Sequence, residues 1–162
     1  MYDETLNEAL RGVINDFDSG QISLKTEGDL RGFLFHRCVE VLSGRGHSTP
    51  IPVHAEMRIG TRRADLVIGR DAEAIVELKL EPFITDAGRV DLKEIRHDIR
   101  KLDAYAKQGS TGHFIMIELE GLETTTGPWY FPRQTVKFGI PEKEWRKTKH
   151  FTWVHYKVPP KK

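Results

Sequence analysis

One stretch of the chain, RADLVIGRDAEAIVELKL from Arg63 to Leu80, places charged side chains inside apolar runs. Asp65 lies in the first run, and Glu77 and Lys79 lie in the second. Burying such groups costs free energy unless they are paired or bind a metal ion. Two carboxylates and an ammonium group suit chemistry with Mg²⁺, which takes oxygen ligands and keeps several of its waters. These residues are therefore candidates for a metal-dependent site that cleaves phosphodiesters.

The spacing of the two runs predicts that they form a β-hairpin. If Gly69 pairs with Glu73, then Asp65 falls opposite Glu77, and directly opposed residues point to the same face of a sheet. A preceding hairpin that turns at Gly60-Thr61 adds a third strand. A shift of one residue in this assumed register would scatter the charged groups. The register gathers four side chains on one patch of one sheet: Glu56, Asp65, Glu77 and Lys79.

The rest of the chain supplies the elements that must position this patch. Apolar residues at helical spacing predict three helices, and runs with strand character predict five strands. Their order predicts a mixed-sheet α/β sandwich. The predicted helices are 4–17, 26–42 and 90–107, and the predicted strands are 52–59, 62–69, 74–80, 113–119 and 151–158.

Asp65 followed by Glu77-Leu78-Lys79 resembles the motif of the PD-(D/E)xK nuclease superfamily, although Ala64 stands where that motif has proline. The segments TEGDLRGFLF, EIRHDIRKLDAY and HFIMIEL follow the order of the remaining core elements, so the resemblance covers roughly Thr26 to Leu119. It implies a restriction-endonuclease-like sandwich, with a central mixed β-sheet flanked by helices. It also implies a metal-dependent endonuclease that hydrolyses DNA phosphodiester bonds, in restriction, recombination, repair or mobile elements.

The resemblance also implies a role for each motif residue. Asp65 and Glu77 would ligate Mg²⁺, with Mn²⁺ as a substitute, and the carbonyl of Leu78 would complete the inner ligands. Lys79 would orient or activate the attacking water. Glu27 would act through water or as a ligand of a second metal ion. For Glu27 the competing interpretation is structural, since a carboxylate in the first helical turn is favoured by the helix dipole.

Two further regions suggest contact with nucleic acid. The helix predicted at 90–107 carries Arg96, Arg100 and Lys101, which are either phosphate contacts or members of a solvated, ion-paired face. The C-terminal extension, 128–162, interleaves basic and aromatic residues, which suits a nucleic-acid groove or packing against the sheet.

Composition sets the remaining expectations. A chain of 162 residues suits one domain, with a core at about 26–119, a preceding helix at 4–17 and the extension at 128–162. A net charge of +1 identifies no partner. Three features favour a cytoplasmic protein that does not enter a membrane: a single cysteine (Cys38), an acidic N-terminus and the lack of a long apolar run.

DNA is the expected partner, and a homodimer is expected for cutting both strands. The alternative function is a catalytically inactive nucleic-acid-binding or regulatory protein on the same fold.

Overall fold

A computed structural model of the chain describes residues 1–81, 92–119, 142–147 and 151–161. Within these residues the chain forms three helices and six strands, in an order that agrees with the α/β class predicted from the sequence. No helix in these ranges is long and apolar enough to cross a bilayer. The elements are α1 (Tyr2–Asp18), α2 (Glu27–Gly44), β1 (Val53–Ile59), β2 (Arg62–Ile68), β3 (Ala74–Glu81), α3 (Leu92–Ala106), β4 (Thr111–Leu119), β5 (Glu142–Lys147) and β6 (Phe151–Val158).

The strands form one mixed sheet in the order β1-β2-β3-β4-β6-β5. Strands β3 and β4 run parallel, and the other neighbouring pairs are antiparallel. The parallel pair is joined through α3, as a parallel connection requires a crossover. The register predicted for the second hairpin is confirmed where the strands pair, because Ile68 lies opposite Ala74 and Leu66 lies opposite Val76.

The helices cover both faces of the sheet, which makes the architecture a sandwich. Helices α1 and α2 pack together on one face, where their apolar stripes meet alternate residues of the strands. Helix α3 lies on the opposite face against β3, β4 and β6. Residues 113–117 of β4 are all buried, as predicted for a strand covered on both faces.

The start of α2 is fixed by a capping box. The Thr26 hydroxyl accepts a hydrogen bond from the N–H of Asp29 (3.1 Å), and the Asp29 carboxylate accepts one from the N–H of Thr26 (2.8 Å). This reciprocal cap satisfies amide donors that the first turn would otherwise leave unpaired. Glu27 is therefore the first helical residue, and the packing of α2 against the sheet places it near β3.

The C-terminal extension contributes strands to the sheet. The predicted strand at 151–158 is confirmed as β6, whereas β5 was not predicted. Trp153 and Tyr156 are buried in the two cores, so packing accounts for these two aromatic residues. Residues 128–141 and the start of the predicted third helix, 90–91, lie outside the described residues.

Candidate active site

The hairpin of β2 and β3 opens at Asp65. The last paired residues are Leu66 and Val76, and beyond them the Asp65 carboxylate accepts a hydrogen bond from the N–H of Leu78 (2.8 Å). A side chain thus takes the place of a backbone partner at the point where the two strands separate. The N–H and C=O of one residue point to the same side of a strand, so the Leu78 carbonyl faces the same opening.

Strand β3 presents Glu77 and Lys79 on the face that α3 covers. Their neighbour Ile75 belongs to the core under α3, whereas the alternate residues Val76 and Leu78 belong to the core under α1 and α2. Glu77 is only 2% exposed, and the Lys79 side chain is 15% exposed. The strand therefore carries two charged groups into a largely buried space, as predicted from the alternation of its side chains between the two faces of the sheet.

Helix α3 adds a carboxylate and a second lysine to this space. The Lys101 ammonium lies 2.6 Å from Glu77 Oε2 and 3.5 Å from Asp98 Oδ1. Asp98 Oδ2 also lies 3.7 Å from the Lys79 ammonium. Helix α3 can approach this closely because β4 has glycine at position 112, where an added Cβ would lie 3.0 Å from the Cβ of Leu102.

Glu27 reaches the same group of charges from α2. One of its carboxylate oxygens lies 3.8 Å from the Lys79 ammonium. Burial raises the pKa of Glu27, and the nearby carboxylates of Asp65 and Asp98 act in the same direction, whereas Lys79 opposes them. Four carboxylates from four different elements thus surround Lys79 and Lys101: Glu27, Asp65, Glu77 and Asp98.

Glu56 lies at the outer edge of the site rather than beside Glu77. It holds the register position opposite Asp65, but the β1–β2 pairing is interrupted there and Glu56 has a φ of +53°. Its carboxylate contacts two arginines, Arg31 at 3.2 Å and Arg63 at 2.6 Å. The Arg31 guanidinium also lies 3.5 Å from Asp65 Oδ1. Glu56 is therefore connected to the site through Arg31.

The clustering of carboxylates changes how readily Glu77 ionises. Burial raises the pKa of Glu77 to about 8, and the charges of Asp65 and Asp98 add to that rise, while the hydrogen bond from Lys101 opposes it. Burial and the Asp65 charge also raise the pKa of Asp98 against the opposing lysines. Carboxyl groups with raised pKa values in a buried cluster are typical of functional sites.

The oxygen donors at the site are of the type that a hard divalent cation takes. Among the described residues, no three acidic, histidine or cysteine side chains converge closely enough to enclose an ion, because lysines separate the carboxylates. However, Glu77 Oε1 is buried and has no hydrogen-bond partner within the part of the chain that the structure describes. A buried carboxylate oxygen without a partner is costly, and a cation beside it would remove that cost. The Asp65 carboxylate and the Leu78 carbonyl supply further oxygen donors at the adjacent opening.

The three residues predicted to bind nucleic acid have different surroundings. Arg100 is exposed on α3, and Arg96 is partly buried, with an Nε that has no hydrogen-bond partner among the described residues. Lys101 lies inside the carboxylate cluster, bonded to Glu77. Its position makes it part of the candidate active site, and only Arg96 and Arg100 retain positions suited to a backbone phosphate.

Two residues of the site were not singled out from the sequence. Asp98 lies on the helix predicted at 90–107, and its spacing of three residues from Lys101 places both on one side of that helix. Arg31 follows Glu27 by four residues, which puts it one turn further along the same face. This spacing is the only signal in the sequence for either residue.

Comparison with models of protein families, with curated proteins and with solved structures finds no match to this chain. Any functional assignment therefore rests on the motif residues and on the geometry described above.

Proposed function

We propose that this chain is a Mg²⁺-dependent endonuclease that hydrolyses DNA phosphodiester bonds and belongs to the PD-(D/E)xK superfamily. The observation that carries the proposal is the arrangement at the opening between β2 and β3. Asp65, the Leu78 carbonyl and the unpartnered Oε1 of Glu77 are gathered there, beside a largely buried Lys79. A buried carboxylate oxygen without a partner costs free energy, so its presence beside other oxygen donors favours a role in binding a cation.

Each residue has a role that its surroundings support. Asp65, Glu77 and the Leu78 carbonyl would hold Mg²⁺ or Mn²⁺, which supplies an activated water and stabilises charge on the leaving oxygen. Lys79 is held between Glu27 and Asp98, so its ammonium group is oriented and can position the attacking water. Glu27 can accept a proton or bind through water, since burial and neighbouring carboxylates raise its pKa.

Lys101 is a positioning residue in this proposal. Its ammonium group holds one oxygen of Glu77 and leaves the other, Oε1, without a partner. Fixing a carboxylate by one oxygen while the second is directed to the ligand is the role that supporting residues play around metal sites. Asp98 in turn contacts both lysines and so sets the distance between them.

A second candidate function is a nucleic-acid-binding protein that uses this fold without cutting. The observation in its favour is the 2.6 Å contact between Lys101 and Glu77, because an internal cation already compensates part of the carboxylate charge. Such a protein would bind DNA with a salt dependence that reports its phosphate contacts. It would show no divalent-metal affinity that depends on Asp65 and Glu77.

The partner proposed for both functions is DNA, and a homodimer is proposed for the nuclease because two copies would cut both strands. Exposed Arg100 and partly buried Arg96 lie on the helix that covers the active face. Basic side chains in that position can fix the backbone without reading its sequence. Sedimentation with and without duplex DNA would measure the oligomeric state.

The experiment that tests the proposal is a cleavage assay on supercoiled plasmid, linear duplex, single strand and a four-way junction. Each substrate is incubated with Mg²⁺, Mn²⁺ or EDTA, and Lys79→Ala is compared with the native chain. Lys107→Ala is the matched control, since Lys107 lies just after α3, is exposed, and forms an ion pair with the half-buried Asp103 outside the site. Metal-dependent cleavage that Lys79→Ala loses and Lys107→Ala keeps supports the nuclease. Salt-sensitive binding without cleavage of any substrate supports the second candidate.

A further inference from the structure

A single arginine on α2 bridges the interrupted part of the β1–β2 pairing. Arg31 Nη1 lies 3.2 Å from Glu56 Oε1 and 3.5 Å from Asp65 Oδ1. Glu27 lies one turn earlier on the same helix, and the charge of Arg31 opposes the rise in its pKa that burial causes. The side chain is 24% exposed, which leaves part of the guanidinium group accessible from solvent. Arg31 thus lies at the outer edge of the site, whereas Lys79 and Lys101 lie in its interior.

The backbone at Glu56 is unusual in a way that favours this contact. A non-glycine residue with a φ of +53° in the middle of a strand is strained, and such strain persists where the surroundings hold it in place. The pairing resumes in the same register on both sides, since Ala55 lies opposite Leu66 and Met57 lies opposite Ala64. The irregularity on β1 is therefore confined to one residue, Glu56, and the side chain of that residue contacts Arg31.

We propose that Arg31 binds a phosphate of the nucleic-acid backbone next to the bond that is cut, and that Glu56 occupies its guanidinium group until that phosphate arrives. This inference rests on the proposed function, because it assumes that the substrate is a polyanionic strand. A guanidinium group offers paired donors that match a carboxylate and a phosphate equally well. The Glu56 carboxylate is 42% exposed and is also held by Arg63, so it can release Arg31 without being left unpaired.

The inference makes opposite predictions for the two partners. Arg31→Ala should weaken binding of DNA and reduce the salt dependence of the binding constant by about one phosphate contact. Arg31→Lys should keep most of the salt dependence, because the charge remains, while losing affinity that depends on the paired donors. Glu56→Gln should strengthen binding several-fold, because the amide competes less well than a carboxylate for the guanidinium group.

The measurement is the fluorescence anisotropy of a labelled DNA duplex and of a labelled single strand, titrated over a range of salt concentrations with Ca²⁺ in place of Mg²⁺. Arg37→Ala is the matched control, since Arg37 lies on the same helix and also contacts two carboxylates, those of Asp16 and Glu40. Thermal unfolding of every variant establishes that each one is folded. Cleavage rates in Mg²⁺ are measured in parallel on the same preparations.

The outcomes separate this inference from the proposed function. If cleavage depends on metal and on Lys79 but Arg31→Ala binds DNA with unchanged affinity and salt dependence, the nuclease stands and the role of Arg31 is wrong. If no substrate is cut but Arg31→Ala and Glu56→Gln shift binding in opposite directions, the phosphate contact stands and the nuclease is wrong. If Glu56→Gln weakens binding, or the native chain does not bind DNA, the inference is overturned.

Discussion

The Asp65 carboxylate accepts a hydrogen bond from the backbone N–H of Leu78 at 2.8 Å, beyond the last paired residues of β2 and β3. One oxygen of Asp65 therefore continues the hydrogen-bonding pattern of the sheet, and the other contacts Arg31. The residue proposed as a metal ligand is thus also part of what holds two strands together. Substitutions at this position must separate the two contributions.

Asp65→Asn and Asp65→Ala should differ in stability but not in activity. The amide oxygen of Asn can still accept from Leu78, so we expect a melting temperature close to that of the native chain. Ala leaves that N–H without its partner, which costs about 1 to 2 kcal/mol, or about 3 to 6 °C in a chain of this size. Both variants should lose at least about 100-fold in cleavage, because neither offers a charged ligand. Thermal unfolding and the plasmid assay measure the two effects.

Substitution of Glu77 should stabilise the metal-free protein at alkaline pH. Its pKa is raised from 4.5 to about 8 by burial, so its contribution to stability is full below pH 4.5 and is lost as the pH rises through about 8. Glu77→Gln stays neutral and keeps an oxygen for Lys101. We expect its melting temperature in EDTA to exceed that of the native chain at pH 9, by roughly 3 to 10 °C, and to match it near pH 4.5.

The same variant tests the proposed metal site. Mg²⁺ or Mn²⁺ should raise the melting temperature of the native chain, because a ligand that binds only the folded state stabilises it. The effect should vanish in Glu77→Gln and persist in Glu40→Gln, which removes an exposed carboxylate on α2. An equal metal effect in all three proteins would mean that the ion binds elsewhere.

Removal of Lys101 should move the pH dependence of cleavage. The hydrogen bond and charge of Lys101 lower the pKa of Glu77 against the effect of burial, so Lys101→Met raises that pKa further. Glu77 must ionise to bind a cation, and the rising limb of the pH–rate profile should therefore shift upward by about one pH unit or more. Lys107→Met, in which an exposed lysine is removed, should leave the profile in place. A downward or absent shift with Lys101→Met would contradict this account.

The sequence was sufficient to predict the hairpin part of the site because local features determine it. Gly60 and Gly69 have φ values of +60° and +98°, which glycine adopts without steric cost. The two turns therefore lie at these residues, and their positions set the register of both hairpins. The start of α2, and with it Glu27, follows from the Thr26–Asp29 cap. In each case the interactions that fix the structure lie within a few residues along the chain.

The contribution of α3 was not predictable in the same way. Lys101 and Glu77 are 24 residues apart, and their contact depends on how α3 packs across β3 and β4. Strand β5 was missed for a different reason. Its sequence, EKEWRK, is almost entirely charged and lacks apolar alternation, which is how an edge strand is often protected from pairing with other chains.

A buried histidine pair outside the candidate active site should make the fold sensitive to acid. His113 Nδ1 lies 2.9 Å from His155 Nε2, and His113 Nε2 lies 3.2 Å from Asp3 Oδ1, while Lys157 also contacts Asp3. Burial lowers the pKa of His155 to about 3, and the charge of His113 adds to this. The hydrogen bond to His113 holds the pKa of Asp3 well below its usual range.

The folded state favours the neutral form of His155. The contribution of this residue to the free energy of unfolding is therefore fully present above pH 6.5 and is lost as the pH falls from 6.5 towards 3. We expect the native chain to lose on the order of 2 kcal/mol from this residue between pH 6.5 and pH 4. His155→Gln, which is neutral throughout and can still bond to His113, should show a shallower decline. His54→Gln, at an exposed position on β1, should retain the native slope. Urea unfolding at several pH values measures these slopes, and identical slopes in all three proteins would assign the acid sensitivity to other groups.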